Sequence, residues 1–169
     1  MKLTIQLRTM TSLERGPNLR IRVNKQLLHE VDNLQQDTNI DLEFEPVLAN
    51  NLVIEHWGKN PKHIPSSEDI AFEIVAIAFD GIELHRNLLY SGEFYPNWNY
   101  GDAPNIVENN CYIGYNGIWS LVFPQDPVTW MMDYIEQEMF VQGTSYNHQE
   151  VGADIGAQDL EDFKRDFLG

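Results

Sequence analysis

Between Tyr90 and Asn105 the chain reads YSGEFYPNWNYGDAPN, a stretch rich in groups suited to recognition. Tyr90, Phe94, Tyr95, Trp98 and Tyr100 stand among Gly, Pro, Asn and Asp with no helical or strand periodicity. A planar ring can cover the apolar face of a pyranose while neighbouring amides and carboxylates bond its hydroxyls. The same residue types are enriched at protein interfaces. A third use is internal, with the rings pinning a long loop onto the body of the fold. Tyr95, Trp98 and Tyr100 are the candidate contact residues, and Trp98 is the one expected to matter most.

Groups for bond-making chemistry are scarcer. On strands, Glu83 and His85 would share a side, as would Ile54 and His56, with His63 in a nearby loop; the HExxH pairing of a catalytic zinc site is absent. Glu55, Glu73 and Glu83 would serve a glycosidase only if two of them faced each other across a cleft. No Gly-x-Ser-x-Gly elbow, P-loop or dinucleotide fingerprint occurs. Cys111 is the single cysteine, so neither an intrachain disulfide nor a cysteine-based zinc site can form. The expectation is a protein that works by contact rather than catalysis, with a glycan-active enzyme as the third reading.

Composition narrows the partners. A chain of 169 residues, 43% hydrophobic, suits one well-buried domain. Its 11 Lys+Arg face 26 Asp+Glu, a formal charge of −15 that leaves no basic face for nucleic acid. Charge is also unevenly spread, with Lys2, Arg8, Arg15, Arg20, Arg22 and Lys25 near the start and carboxylates dominating after Asp126. That polarity suits head-to-tail docking or a basic partner, or simply an acidic, solvated surface. There is no apolar run of the ~18 residues a membrane span needs. The opening MKLTIQLRTMT alternates like a strand and lacks the apolar core of a signal peptide, so a cytosolic site of assembly is expected.

The elements that must position these groups are mostly strands. Leu3, Ile5 and Leu7 share one strand face and Leu19, Ile21 and Val23 another, with Arg20 and Arg22 opposite. Asn24-Lys25 precedes a short strand over 26–31, and Ile40, Leu42 and Phe44 alternate with acidic residues. Asp80-Gly81 and Asn116-Gly117 carry the residues of type I′ hairpin turns. The unbroken apolar run around Ile74–Ala78 predicts an interior strand over 70–79, covered on both faces. Eight or nine short strands with no strong helix before residue 126 predict a mainly β fold, an antiparallel β-sandwich of jelly-roll type over 1–125.

A helix is expected over 126–143. Asp126 caps it, Pro127 opens it, Val128, Met132, Ile135 and Met139 form its stripe, and Gly143 stops it. Residues 144–169 read as a linker and a short amphipathic helix whose Leu160, Phe163 and Phe167 share a face. Too short to be stable alone, that helix is expected to dock on a partner, on a second copy, or back on its own domain.

The order LRIRVNKQLLHEV, IDLEFEP, NNLVIEHWGKN and SSEDIAFEIVAIAFDGIEL resembles that of calcium-dependent carbohydrate-binding modules of the xylan-binding kind. The resemblance covers roughly residues 1–90 and rests on strand order. It implies a β-sandwich that binds glycan and a calcium ion near Asn60 and Asp69, with Lys59-Asn60-Pro61 standing where the family has Asn-Asp. In overall style the chain also resembles small, acidic, Asn-rich structural proteins of T4-like marine phages. That likeness implies assembly in the host cytoplasm, a place in the virion, and other structural proteins or further copies as partners. A phage virion or assembly component acting through protein contacts is the leading expectation, a carbohydrate-binding module the alternative; neither involves nucleic acid or a membrane, and no cofactor other than calcium is implied.

Overall fold

In the computed structural model of the chain, residues 1–11, 14–59, 70–97 and 105–146 are described, 140–146 as backbone alone. The strands are β1 (Lys2–Thr11), β2 (Asn18–Val23), β3 (Gln26–Val31), β4 (Thr38–Glu43), β5 (Ala49–Trp57), β6 (Ile70–Phe79), β7 (Ile82–Glu83), β8 (Glu93–Pro96), β9 (Tyr112–Ile113) and β10 (Gly117–Pro124). Two helices join them, α1 (Arg86–Tyr90) and α2 (Pro127–Tyr146). One sheet runs β4-β1-β6-β7, with β9 also paired to β6; the other runs β3-β2-β5-β10-β8. Every pairing is antiparallel. The protein is a mainly β, antiparallel sandwich followed by a C-terminal helix.

Period-two alternation builds the core. Leu3, Ile5 and Leu7 of β1 and Leu19, Ile21, Leu52, Ile54 and Trp119 of the other sheet are all 0% exposed. Rings lock the two layers together: Phe79 meets Phe123 at 4.7 Å between centroids, and His56 meets Phe72 edge-on at 5.6 Å. Two turns follow from residues that accept positive φ. Asn24 and Lys25 (φ 52° and 71°) close the β2–β3 hairpin, and Asp80 and Gly81 (φ 49° and 88°) close β6–β7.

Four expectations need correction. Asn116-Gly117 is not a hairpin loop, because β9 pairs with β6 in the first sheet whereas β10 pairs with β5 and β8 in the second. The chain changes layer there, and neither residue has positive φ. Gly117 serves close approach instead, since a Cβ would lie 2.5 Å from the Tyr95 carbonyl oxygen. Strand β6 is interior to its sheet, yet it is not covered on both faces. Gln6 lies opposite Ala76 but Leu7 opposite Ile74, so Val75 is an extra residue, a β-bulge. The bulge resets the alternation, putting Ile74 and Ile77 both in the core while Val75, Ala76 and Ala78 stay half-buried.

Asp126 caps α2 as expected, its Oδ1 accepting from Thr129 N at 3.0 Å and its Oδ2 from Thr129 Oγ1 at 2.7 Å. The helix passes through Gly143 to Tyr146, since an interior glycine costs a helix only about 1 kcal/mol. Nor do the four expected apolar residues form its buried stripe: among the described side chains Pro127 and Met131 are the buried ones, and Met139 is 46% exposed. The chain divides into two compact units, Met1–Met131 and Met132–Gly169. Leu160, Phe163 and Phe167 lie outside the described residues.

Candidate functional site

One end of the second sheet gathers the roots of the segments singled out by their sequence. There His56 of β5 is in register with Gly117 of β10, and Gly117 with Pro96 of β8. The chain leaves this end through Lys59 toward 60–69 and through Asn97 toward 98–104. Asn60, Asp69, Trp98 and Tyr100 belong to those two segments and lie outside the described residues.

Asn116 ties the roots together. Its Oδ1 accepts from Lys59 N at 2.9 Å, its Nδ2 donates to Lys59 O at 2.7 Å, and its backbone carbonyl accepts from Asn97 N at 2.7 Å. A side-chain amide suits this use because it offers an acceptor and donors side by side, matching the N–H and C=O of a single residue. Lys59 Nζ donates to the Gly114 carbonyl and lies 5.4 Å from the centroid of the Tyr115 ring. Below them His56, 1% exposed, has Nδ1 3.0 Å from the Tyr115 carbonyl oxygen. Asn116, Lys59 and His56 thus hold the backbone from which the two segments spring.

Exposed rings border this end. Tyr95 on β8 is 41% exposed and Tyr115 is 43% exposed. The Tyr95 hydroxyl donates to the Glu93 carboxylate, which together with slight burial raises its pKa and keeps it protonated. Phe94, by contrast, points inward and is 2% exposed, and Tyr90 ends α1, so the aromatic stretch is in part core and strand rather than loop.

The open face of the second sheet continues from Tyr95. In register across it stand Tyr95, Ile118, Glu55, Arg20 and Glu30. Arg20 pairs with Glu30 at 3.0 Å, Arg22 pairs with Glu55 at 2.7 Å, and the Arg20 guanidinium covers the Trp57 ring at 4.3 Å. Trp57 is therefore occupied by a cation and Trp119 is enclosed, its Nε1 donating to the Asn110 carbonyl at 3.1 Å. Neither is open for stacking, which leaves Tyr95 and Tyr115 as the exposed rings at this end among the described residues. Sequence reasoning singled out Tyr95 and missed Tyr115, Lys59 and Asn116, whose link appears only when β5 and β10 are paired.

Several of the histidines and carboxylates weighed for catalysis have structural partners, while His63 lies outside the described residues. His85 caps α1, its Nδ1 accepting from Asn87 N, while Glu55 and Glu73 are in ion pairs. Among the described residues no three of His, Cys, Asp and Glu come together in a way that could hold a metal ion. The calcium ligands suggested by resemblance, Asn60 and Asp69, are not among those residues, so no calcium site can be assembled from the described part. No described helix is long and apolar enough to cross a membrane.

No family model matches this chain, and no curated protein matches it. Among solved structures it is similar to vCBM60 in complex with galactobiose, at 9% identity and a TM-score of 0.50, over 72% of this chain and 97% of that one. A selenomethionine form of vCBM60, described with two families of calcium-dependent carbohydrate binding modules linked by circular permutation, matches with a TM-score of 0.49 and 9% identity, over 71% and 88%. The likeness is one of fold.

Proposed function

We propose that this chain is a non-enzymatic carbohydrate-binding module. The observation that carries the reading is that the fold matches over 97% of a module solved with galactobiose and 72% of this chain. Further support comes from the end of the sandwich where Tyr95 and Tyr115 are exposed and Asn116 fixes the roots of two segments. Those segments hold Trp98 and Tyr100, and Asn60 and Asp69. Rings for stacking and amides for hydroxyls are what a sugar requires. A glycan array probed with the full chain, in calcium and in chelator, tests it. Binding of a neutral glycan, weakened at least tenfold in Tyr95→Ala or Trp98→Ala, is expected, and loss of binding in chelator would add the calcium ion. An array without binding under both conditions refutes the reading.

One observation favours a second role through protein contact. Ile118 (41% exposed) and Val122 (65% exposed) project from the same open face as Tyr95. Sedimentation of the full chain tests whether copies associate there, and Val122→Lys should abolish any such association.

A further inference from the structure

The outer face of the first sheet carries a second set of recognition groups, brought together from β1, β4, β6 and β9. Antiparallel register lays them out in rows: Asn39, Gln6 and Ala76; Asp41, Thr4 and Ala78; Arg8, Glu73 and Tyr112. Since Leu3, Ile5 and Leu7 point into the core, Thr4, Gln6 and Arg8 point away from it. Where the bulge at Val75 puts β6 out of step, a hollow of about 300 Å³ opens, lined by Gln6, Arg8, Asp37, Thr38, Asn39 and Val75. Bulges recur where a sheet re-aims side chains at a ligand.

Among the described residues, the side-chain amides of Gln6 and Asn39 make no hydrogen bond, although they face each other across the β1–β4 pair. Each leaves an oxygen and an NH₂ group available to a ligand. The charged groups nearby are already matched. Arg8 Nη1 is 2.9 Å from Glu73 Oε2, Lys2 Nζ is 3.6 Å from Asp41 Oδ2, and Asp37 Oδ1 accepts from Thr9 N at 2.8 Å. Carboxylates at Asp37, Asp41, Glu43 and Glu73 outnumber the cations Lys2 and Arg8. The floor beside the hollow is small, Ala76 and Ala78, and Tyr112 at the neighbouring row is 39% exposed.

We infer that this face is a binding cleft for a short segment of neutral oligosaccharide. Gln6 and Asn39 bond its hydroxyls in the hollow. An apolar ligand would leave both amides unpaired, at a cost. Among the described residues a phosphorylated, sulfated or uronic ligand would meet more carboxylates than cations, with Lys2 and Arg8 already paired and Arg86 the one further cation close enough to act on Glu73. A hydroxyl-rich, uncharged ligand satisfies both conditions, and the volume, at the lower end of small-molecule sites, limits it to a short segment. The inference rests on the carbohydrate-binding reading and adds a place on the sheet face, distinct from the end where Tyr95 stands.

The test is an amide-resonance titration of the isotopically labelled full chain. Galactobiose, cellotetraose and xylotetraose serve as neutral probes and a heparin-derived tetrasaccharide as the acidic one. At least one neutral probe is expected to shift the amides of Gln6, Asn39, Glu73 and Val75, and Gln6→Ala combined with Asn39→Ala should weaken it at least tenfold with the thermal midpoint unchanged. Shifts confined to Gly58–Lys59 and Tyr115–Asn116 would overturn the inference while leaving the carbohydrate-binding reading in place. Shifts of this face by the acidic probe alone, or unchanged affinity in the double variant, would also overturn it. Silence toward every neutral glycan, on the array and in the titration, would overturn both.

Discussion

Asn116→Ala is the most informative single perturbation of the loop-bearing end. The substitution deletes two half-buried hydrogen bonds, at 2.9 and 2.7 Å, that close a ring with the N–H and C=O of Lys59. A typical net contribution is about 0.5–1.5 kcal/mol per bond, so the loss is about 2 kcal/mol. The 2.7 Å bond from Asn97 N to the Asn116 backbone carbonyl survives the change, which keeps the estimate from rising further. For a domain of this size each kcal/mol moves the midpoint by about 2–4 °C, so thermal unfolding followed by circular dichroism should shift down by about 4–8 °C. Hydrogen exchange at the Lys59 amide should quicken in step. Asn116→Asp keeps the acceptor for Lys59 N but turns an oxygen toward the Lys59 carbonyl, so it should recover none of the loss. Glycan affinity should fall by more than the fraction unfolded explains, because the chain entering 60–69 loses its anchor. A midpoint within about 1 °C of the parent, with Lys59 protection intact, would refute the assignment of Asn116 as the clip.

Other outcomes follow from the core and the thiol. Ile77, 0% exposed on the interior strand, has no partner for a charge, so Ile77→Asp should cost more than about 4 kcal/mol in urea unfolding. A Cβ at Gly92 would sit 2.1 Å from the Trp119 ring, itself enclosed and hydrogen-bonded, so Gly92→Ala should cost about 1–3 kcal/mol and quench or shift the indole fluorescence. Burial pushes the Cys111 thiol up to about 11 from an ordinary 9.0, so at pH 8 roughly one thiol in a thousand is ionised. Alkylation by iodoacetamide at pH 8 should be slow in the native protein and fast in urea. Because the folded state resists ionisation, stability should fall as pH rises from about 9 toward 11.

The sandwich was legible wherever one residue in two was apolar. Leu3-Ile5-Leu7, Leu19-Ile21-Val23 and Ile40-Leu42 each declare a buried face without help from any partner strand. Reading failed where the partner decides. An apolar run of five around Ile74 looks the same whether both faces are covered or a bulge switches parity midway, and only the pairing with β1 separates the two cases. Asn116-Gly117 failed for a related reason. Turn chemistry describes what a dipeptide can do, whereas its strands were already committed to different sheets, and the glycine was fixed by the Tyr95 carbonyl rather than by φ. In α2 the expected stripe did not appear, since Met131 and not Met132 is buried and Met139 is exposed.

Sites built on sheet faces are the hardest to see in a sequence, and the hollow at Val75 explains why. Gln6, Asn39 and Glu73 are unremarkable polar positions on separate strands, each an ordinary outward residue of an alternating pattern. Antiparallel register alone sets Gln6 between Asn39 and Ala76, and Arg8 opposite Glu73. Their likeness to solvent-exposed filler ends when one asks which polar groups are matched: Arg8 and Lys2 are paired, while the two amides are not. The aromatic stretch around Tyr95 advertises itself because its rings are contiguous. A cleft assembled from residues separated by more than thirty positions cannot do so, and its test must be spatial. If a neutral saccharide moves the amides of Gln6 and Asn39 together, the pairing of β1 with β4 has made a site from two side chains whose sequence contexts gave no hint of one another.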